Sequence, residues 1–470
     1  ASTYEVRLPA DYDLVWGSAG GDFSRDRLVY SRRPDGKSTI HRWSLDADAE
    51  GIVPECRENY AVCAVVPHVA TAGSDSGAGM ATGRTWAEVG AAYLERIQDV
   101  FSADQAVHDA VTAAIGDAAT PMEKIDRIYK FVQSRCRYLG LFEGAGGLVP
   151  IAADKVLASG FDDCKGLGTL LIAMLRDAGF TAHPVLLRTR TAGQIVADVP
   201  NMAQFNHYIA WVDTGGGGMF LDGVVDGYPA GLVPAMDGVE AALLLKPDAV
   251  GVVPIPPVAW APGTAAYRVA GRISDAGGLD VTCALELDGN LGAQWRGALA
   301  GATPQERDRY LNWALLPKGF AVDMGVPSIA GLGQWREPLV LDADAKARGP
   351  LPGDGRSVFL PRQLTGAALD MKIVPHCGPA EDMRRFPSRA EHWEIELPPG
   401  LDLVAPDPID VHEDGVSWQC SARQEGARLV LDRTVAFTGD SMDGDALEAA
   451  RRSLAAAQKL DSGYFELRRR

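Results

Sequence analysis

The sequence predicts an α+β chain of several domains, with a helix-rich core between two β-rich, sandwich-like stretches. Three observations predict it. Residues 1–75 alternate strand-like segments with Gly, Asp and Ser turns, and the chain beyond residue 263 alternates apolar and polar positions, as in Leu279-Asp280-Val281-Thr282-Cys283-Ala284-Leu285-Glu286-Leu287. That is the period-2 pattern of half-buried strands. Residues 85–136 carry helix signals instead. Between 160 and 180 a further helix starts at a cysteine, and strand-like segments follow it.

In order along the chain, Tyr4 to Leu8, Leu28 to Ser31 and Ser38-Thr39-Ile40-His41-Arg42-Trp43 read as strands separated by Gly, Asp and Ser turns. Pro67 and Gly73 to Gly79 make a flexible passage. Helices are expected over 85–100, about 103–115 and 121–136. The last has a capping box, Thr120 and Glu123, around Pro121 at its first position. Its Ile125, Ile128, Tyr129 and Val132 form one apolar stripe, read as core. Gly140 to Pro150 is Gly-rich without a phosphate-binding pattern and reads as a cleft wall. Pro254 to Gly263 is a stiff linker and a domain boundary. Beyond it, a helix from about Thr303 to Leu315 interrupts the strands, which resume at His392 to Leu397 and Ala427 to Val435. A helix from Asp445 to Leu460 follows, with Arg451, Arg452 and Arg468 to Arg470 solvating its surface and the tail. The expected domains are 1–79, β-rich and incomplete, 80–255, the core, and 256–470, β-rich.

The block Gly160-Phe161-Asp162-Asp163-Cys164-Lys165-Gly166 carries the chemistry. Asp162 or Asp163 can cap the helix that follows, since a short carboxylate accepts from first-turn N–H groups. Leu167, Leu170, Leu171, Met174 and Leu175 have the spacing of one buried face. Gly179 suits the left-handed position that ends the helix. A thiol at a helix start sits at the positive end of the macrodipole, which favours its anion. Cys164 is therefore a candidate nucleophile.

A nucleophile of this kind needs a base, and His207 in Phe205-Asn206-His207-Tyr208-Ile209-Ala210-Trp211 is the candidate, 43 residues on. Glycines 215–218 then turn the chain into Met219-Phe220-Leu221-Asp222. Asp222, 15 residues beyond His207, can orient the imidazole. A hairpin symmetric about the glycines, with Asp213 opposite Phe220, would set His207 against Asp226 instead. Asp222 would then lie about 13 Å along the strand. A bulge or asymmetric loop is needed to bring it in. Asp226 stands as its rival.

These residues resemble the bacterial transglutaminase-like superfamily of papain-type cysteine enzymes. The nearest branch sets this core between two β-rich domains of unknown function. It has a Trp-led helix, here Thr85-Trp86-Ala87-Glu88 to Val100, an Arg-Tyr pair, here Arg137-Tyr138, a Gly-Asp-Cys-Lys-Asp block, an Asn-His strand and an Asp-Pro-Thr block. The likeness is close over about 80–250 and looser elsewhere. It implies a papain/transglutaminase-like core with Cys164 as nucleophile, His207 as base and Asp222 as orienting carboxylate. It also implies Tyr138 near the oxyanion, and Asp163 counts as a second oxyanion or cleft candidate. Two blocks depart from the pattern: Asp162-Asp163-Cys164-Lys165-Gly166, and Asp222-Gly223-Val224. Members of the branch carry a longer β domain before the point where this chain opens, so a mature or trimmed form is expected. Its missing leader says nothing about compartment.

Composition bounds the partners. A net charge of −17 over 470 residues argues against nucleic acid or an anionic membrane. No run of 18 apolar residues exists to span a bilayer. The seven cysteines are Cys56, Cys63, Cys136, Cys164, Cys283, Cys377 and Cys420. Cys56 and Cys63 are close enough for a loop-closing disulfide, and a catalytic thiol would be the odd one left. A periplasmic or otherwise extracytoplasmic location is expected, although an all-reduced cytosolic protein fits the same count. No Cys/His spacing suggests zinc, and no cofactor or metal is expected; His376-Cys377 reads as a loop.

Two functions fit. In the first, Cys164 attacks an amide or other acyl carbonyl of a peptide-like substrate, and water or an amine resolves the thioester. Hydrolysis is favoured because no amine pocket can be read. In the second, the core is a relic within a non-catalytic binding or scaffold protein.

Overall fold

The computed structural model describes residues 2–10, 14–19, 28–45, 66–71, 85–140, 149–315, 321–362, 380–382, 386–413, 415–438 and 441–470. Cys56, Cys63, the Gly73 to Gly79 passage, most of the 140–150 loop and His376-Cys377 lie outside the described residues. The chain divides into two compact units, residues 1–260 with 375–379, and residues 261–374 with 380–470.

The first unit opens with β1 (Ser2–Pro9), β2 (Leu14–Ala19), β3 (Leu28–Asp35), β4 (Ser38–Leu45) and β5 (Val66–Thr71). β4 lies between β1 and β3, and β2 pairs with β5. Trp43 is buried among Tyr4, Trp16 and Tyr30 at ring separations of 5.3 to 5.8 Å, within the range of favourable aromatic pairs.

Helices follow, most of them begun by a side-chain cap. α1 (Trp86–Ile97) is capped by Thr85 and α2 (Gln105–Ile115) by Asp104. α3 (Pro121–Arg135) has the reciprocal Thr120–Glu123 capping box. α4 (Ala153–Ser159) leads through Gly160 towards α5 (Cys164–Asp177). The periodic spacing predicts one buried face for α5, but every residue from Cys164 to Leu175 is buried. The reason lies on its other side, where Ile172 and Ala173 are apolar and Gly166, Gly168 and Thr169 are small or uncharged. α1, α2, α3 and α4 therefore share one core with it, including Val89, Val107, Ile128, Val156, Leu170 and Met174. Burying each of its leucines stabilises the unit by roughly 1.5–3 kcal/mol.

Two short strands, β6 (Arg137–Tyr138) and β7 (Phe161–Asp162), pair in parallel just before α5. α5 then lies on a five-stranded antiparallel sheet of order β10-β9-β8-β11-β12. Its strands are β8 (Ala182–Leu187), β9 (His207–Asp213), β10 (Gly218–Leu221), β11 (Ala242–Leu244) and β12 (Gly251–Val253). The 254–263 segment is packed rather than free along part of its length. Pro257–Trp260 is a 3-10 turn, and Ile255, Ala259 and Trp260 are buried in a cluster with Val185, Ile209 and Phe220.

In the second unit, nine strands form one sheet, with every pairing antiparallel except Thr264–Ile273 beside Ser388–Glu396. Leu279, Val281, Cys283, Leu285 and Leu287 are all buried, and the residues between them are not, so one face is covered. Leu299 and Leu311, from helices Gly289–Gly301 and Pro304–Leu315, join Leu285 and Leu341 in one cluster on it. Leu454 of helix Gly444–Asp461 and Phe465 of a smaller sheet join Val281 and Trp393 in another. Two elements differ from expectation. Helix Gly289–Gly301 was hidden by its four glycines, which weaken any helix signal. Arg468 and Arg469 are exposed as expected, but they lie in strand Tyr464–Arg469, which pairs on both edges, and not in a free tail.

Candidate active site

Backbone pairing sets the position of Cys164. The Arg137 N–H donates to the Gly160 carbonyl and the Leu139 N–H to that of Asp162, both at 2.9 Å. α5 therefore begins directly beside Tyr138. Asp163 is the N-cap, its Oδ1 accepting from Lys165 N at 2.8 Å and Gly166 N at 3.4 Å, and its other oxygen pairs with the Lys165 ammonium. A carboxylate engaged in this way accepts hydrogen bonds and offers no donor to an oxyanion. Asp163 shapes the helix start.

The departure at 162 and 166 has a steric explanation. Asp162 is buried, its Oδ1 accepting from the Asp163 N–H at 2.7 Å. A Cβ at position 166 would collide with the Asp162 carboxyl. The carboxylate that the family pattern places two residues after the cysteine has, in effect, exchanged places with the glycine two residues before it. Gly166→Asp should therefore cost about 1–3 kcal/mol in urea unfolding, as overpacking does. Adding Asp162→Gly should recover at least half of that loss. Additive effects of the two changes would show that they do not share the space.

His207 and Asp222 meet through the hairpin. The register pairs Asp213 with Gly218 and Trp211 with Phe220, two residues away from the symmetric expectation. The turn uses only residues 214–217, with Thr214 N donating to the Gly217 carbonyl at 3.0 Å. Gly218 allows this because a Cβ there would fall inside the Trp211 indole. A shift of two keeps every side chain on its face but brings Asp222 down the strand. Its Oδ2 lies 3.1 Å from His207 Nε2. Asp226 is exposed, whereas Asp222 is 1% exposed. The His207 ring is also hydrogen-bonded to the Cys164 thiol; with Nε2 turned to Asp222, Nδ1 is left for the sulfur.

The electrostatics of the three groups are linked. Burial alone would lower the His207 pKa. The charge and hydrogen bond of Asp222, followed by the Cys164 bond, raise it well above its ordinary value. Burial would likewise raise Asp222, but the His207 charge and bond and the Val224 N–H hold it below the usual carboxylate range. The ion pair stabilises the fold fully between the unfolded-state pKa values, about 3.9 and 6.5. Its contribution is lost as pH falls through the depressed value of Asp222, or rises through the raised value of His207.

Several aromatic hydroxyls surround this group. Tyr129, buried in the α3 stripe, donates to the Asp222 carbonyl at 2.7 Å, so a residue read as core also anchors the loop. Tyr138 is 47% exposed. Burial, then the neighbouring Cys164, raises the pKa of its hydroxyl. Tyr93 of α1 is buried and feels Cys164 too, after burial and Tyr208. The residue that sequence reasoning missed is Asp237, in the short turn Ala235–Asp237. It is 0% exposed, with Oδ1 3.9 Å from His207 Nε2. Pro234-Ala235-Met236-Asp237-Gly238 reads as an ordinary surface turn, and nothing local marks it. Among the described residues, His207, Asp222 and Asp237 are the one group whose ligand atoms, within 4.8 Å of one another, could converge on a cation.

Comparison with known proteins bears on the core. Residues 109–216 match the family model of the transglutaminase-like superfamily. No curated protein matches the chain. A crystal structure from Parabacteroides distasonis, provisionally described as a protease, superposes with a TM-score of 0.55 at 11% identity, over 99% of this chain and 72% of that one. At that identity the likeness is one of fold. A protein from Cytophaga hutchinsonii, provisionally described as a cysteine protease, aligns over 46% of this chain and 66% of its own at 8% identity. Its TM-score of 0.19 is too low to carry an argument.

Proposed function

From a transglutaminase-like core over residues 109–216, we propose a cysteine-dependent amide hydrolase that works through a thioester on a peptide-like substrate. One observation carries the reading: the His207 ring is bonded to Cys164 on one side and Asp222 on the other. The Cys164 proton passes to His207, and the sulfur bonds to the substrate carbonyl carbon. The Cys164 backbone N–H and the Tyr138 hydroxyl are the donors assigned to the oxyanion. Collapse breaks the C–N bond, and His207 returns its proton to the departing amine. Water then attacks the thioester, giving its proton to His207, which passes it back to the sulfur as the acid leaves. Asp222 holds the imidazole in the tautomer and orientation both steps require. An amine replacing water at the second step would make the reaction an acyl transfer, and product analysis with added amine separates the two.

Iodoacetamide tests the pairing without a substrate. A thiolate beside an imidazolium alkylates in mild acid, where isolated thiols do not. Burial raises Cys136, and it pushes Cys283 and Cys420 up to about 12. At about pH 6, Cys164 should react at least ~10-fold faster than these three, as read by peptide mass mapping. Equal rates would instead favour the relic binding protein.

A further inference from the structure

Asp237 is the one carboxyl at this site without an evident task. It is 0% exposed, and its oxygens meet no hydrogen-bonding group other than the facing Asp222 carboxyl. An ionised carboxylate left in that state is strongly disfavoured, whereas a neutral acid is tolerated. At 3.9 Å it is too far to bond His207 Nε2, which Asp222 already holds at 3.1 Å. The acceptor in reach is Asp222, whose two oxygens take one bond each, from His207 and from Val224 N at 3.0 Å. Each oxygen keeps a second lone pair.

We propose that Asp237 is a positioning residue of the active site: a neutral carboxylic acid that donates to the Asp222 carboxylate and so keeps Asp222 aimed at His207. No covalent bond changes, and the proton stays on Asp237. This rests on the reading of His207 as the base.

The surroundings agree. Burial first, then the Asp222 charge, raises the pKa of Asp237 well above the usual carboxylate range, against the opposing effect of His207. Two carboxyls this close do not both ionise. The other groups around it are the Tyr129 hydroxyl of α3, which feels Asp222, Asp237 and Tyr228, and Arg190. Arg190 lies on the 3-10 turn packed against that of Asp237, with its guanidinium 4.8 Å above the Trp260 ring. The sharing of one proton by two carboxyls resembles the logic of an acid dyad, here behind a histidine.

The experiment follows the His207 ring signal by NMR against pH, assigned by its loss in His207→Gln. Wild type is compared with Asp237→Asn, which keeps a neutral donor, and Asp237→Leu, which keeps the branched shape but removes the donor. The Asn variant should keep the His207 midpoint within about half a unit and turnover within about threefold. The Leu variant should raise the midpoint by about half a unit or more, because Asp222 becomes more basic, and cut turnover at least ~10-fold. A midpoint lowered by about one unit in Asp237→Asn would overturn the proposal, since it would mean that a negative charge had been removed. So would a Leu variant that folds and titrates like wild type. A stoichiometric divalent cation, retained by wild type and lost from Asp237→Asn, would make the acid a ligand and likewise overturn it. If Asp237→Leu fails to fold, the Asn midpoint still decides between neutral acid and anion. The readout needs no turnover. An unreactive Cys164 would sink the hydrolase reading and leave the Asp237 titration interpretable, whereas reactive Cys164 with silent Asp237 variants would sink only this inference.

Discussion

Cys164→Ala should abolish hydrolysis, lowering turnover by about 10³-fold or more, with the fold intact. The loss follows from the chemistry: without the sulfur no thioester forms, and His207 and Asp222 have no nucleophile to activate. Removing the nucleophile of such a unit costs nearly as much as removing the whole unit. The small structural effect follows from size. The side chain is buried at the N-terminus of α5, but it is only one sulfur larger than alanine, and the Asp163 cap and Asp162 contact do not involve it. A thermal midpoint corresponding to about 1 kcal/mol or less of lost stability is expected. Full activity in the purified variant would remove Cys164 from the mechanism.

Asp222→Asn should be nearly as damaging, with turnover reduced by about 10³- to 10⁴-fold, as in comparable triads. The amide cannot supply the charge that opposes burial in raising the His207 pKa. Its NH₂ group can also turn towards Nε2, favouring the wrong tautomer. Asp226→Asn should be silent, within about 0.5 kcal/mol in stability, because that carboxylate is exposed and the register leads Asp222, not Asp226, to the ring. Kinetics of the two variants on one amide substrate provide the check. A crippled Asp226→Asn beside a normal Asp222→Asn would reverse the assignment.

Local rules made much of this core legible. Capping carboxylates and hydroxyls mark helix starts because first-turn N–H groups need acceptors nearby in sequence, and Thr85, Asp104, Thr120 and Asp163 all serve. The same locality places Cys164 at a helix N-terminus and His207 on a strand. It failed where the deciding contact was distant. Helix Gly289–Gly301 is packed through Leu299 against Leu285 and Leu341, and its own composition argues against it. The all-round burial of α5 depends on neighbours that its periodicity does not reveal.

By itself the sequence determined which chemical groups are present and the local element that carries each. Only the tertiary structure decided which of them meet. Two residues of register, set by Gly218 lying under Trp211, bring Asp222 to His207 and leave Asp226 in solvent. Asp237, which nothing in its own turn distinguishes, reaches the same site because the chain between β10 and β11 returns to the His207 ring. Register and long-range return depend on steric fits between residues far apart in the chain, and a local pattern carries no record of them.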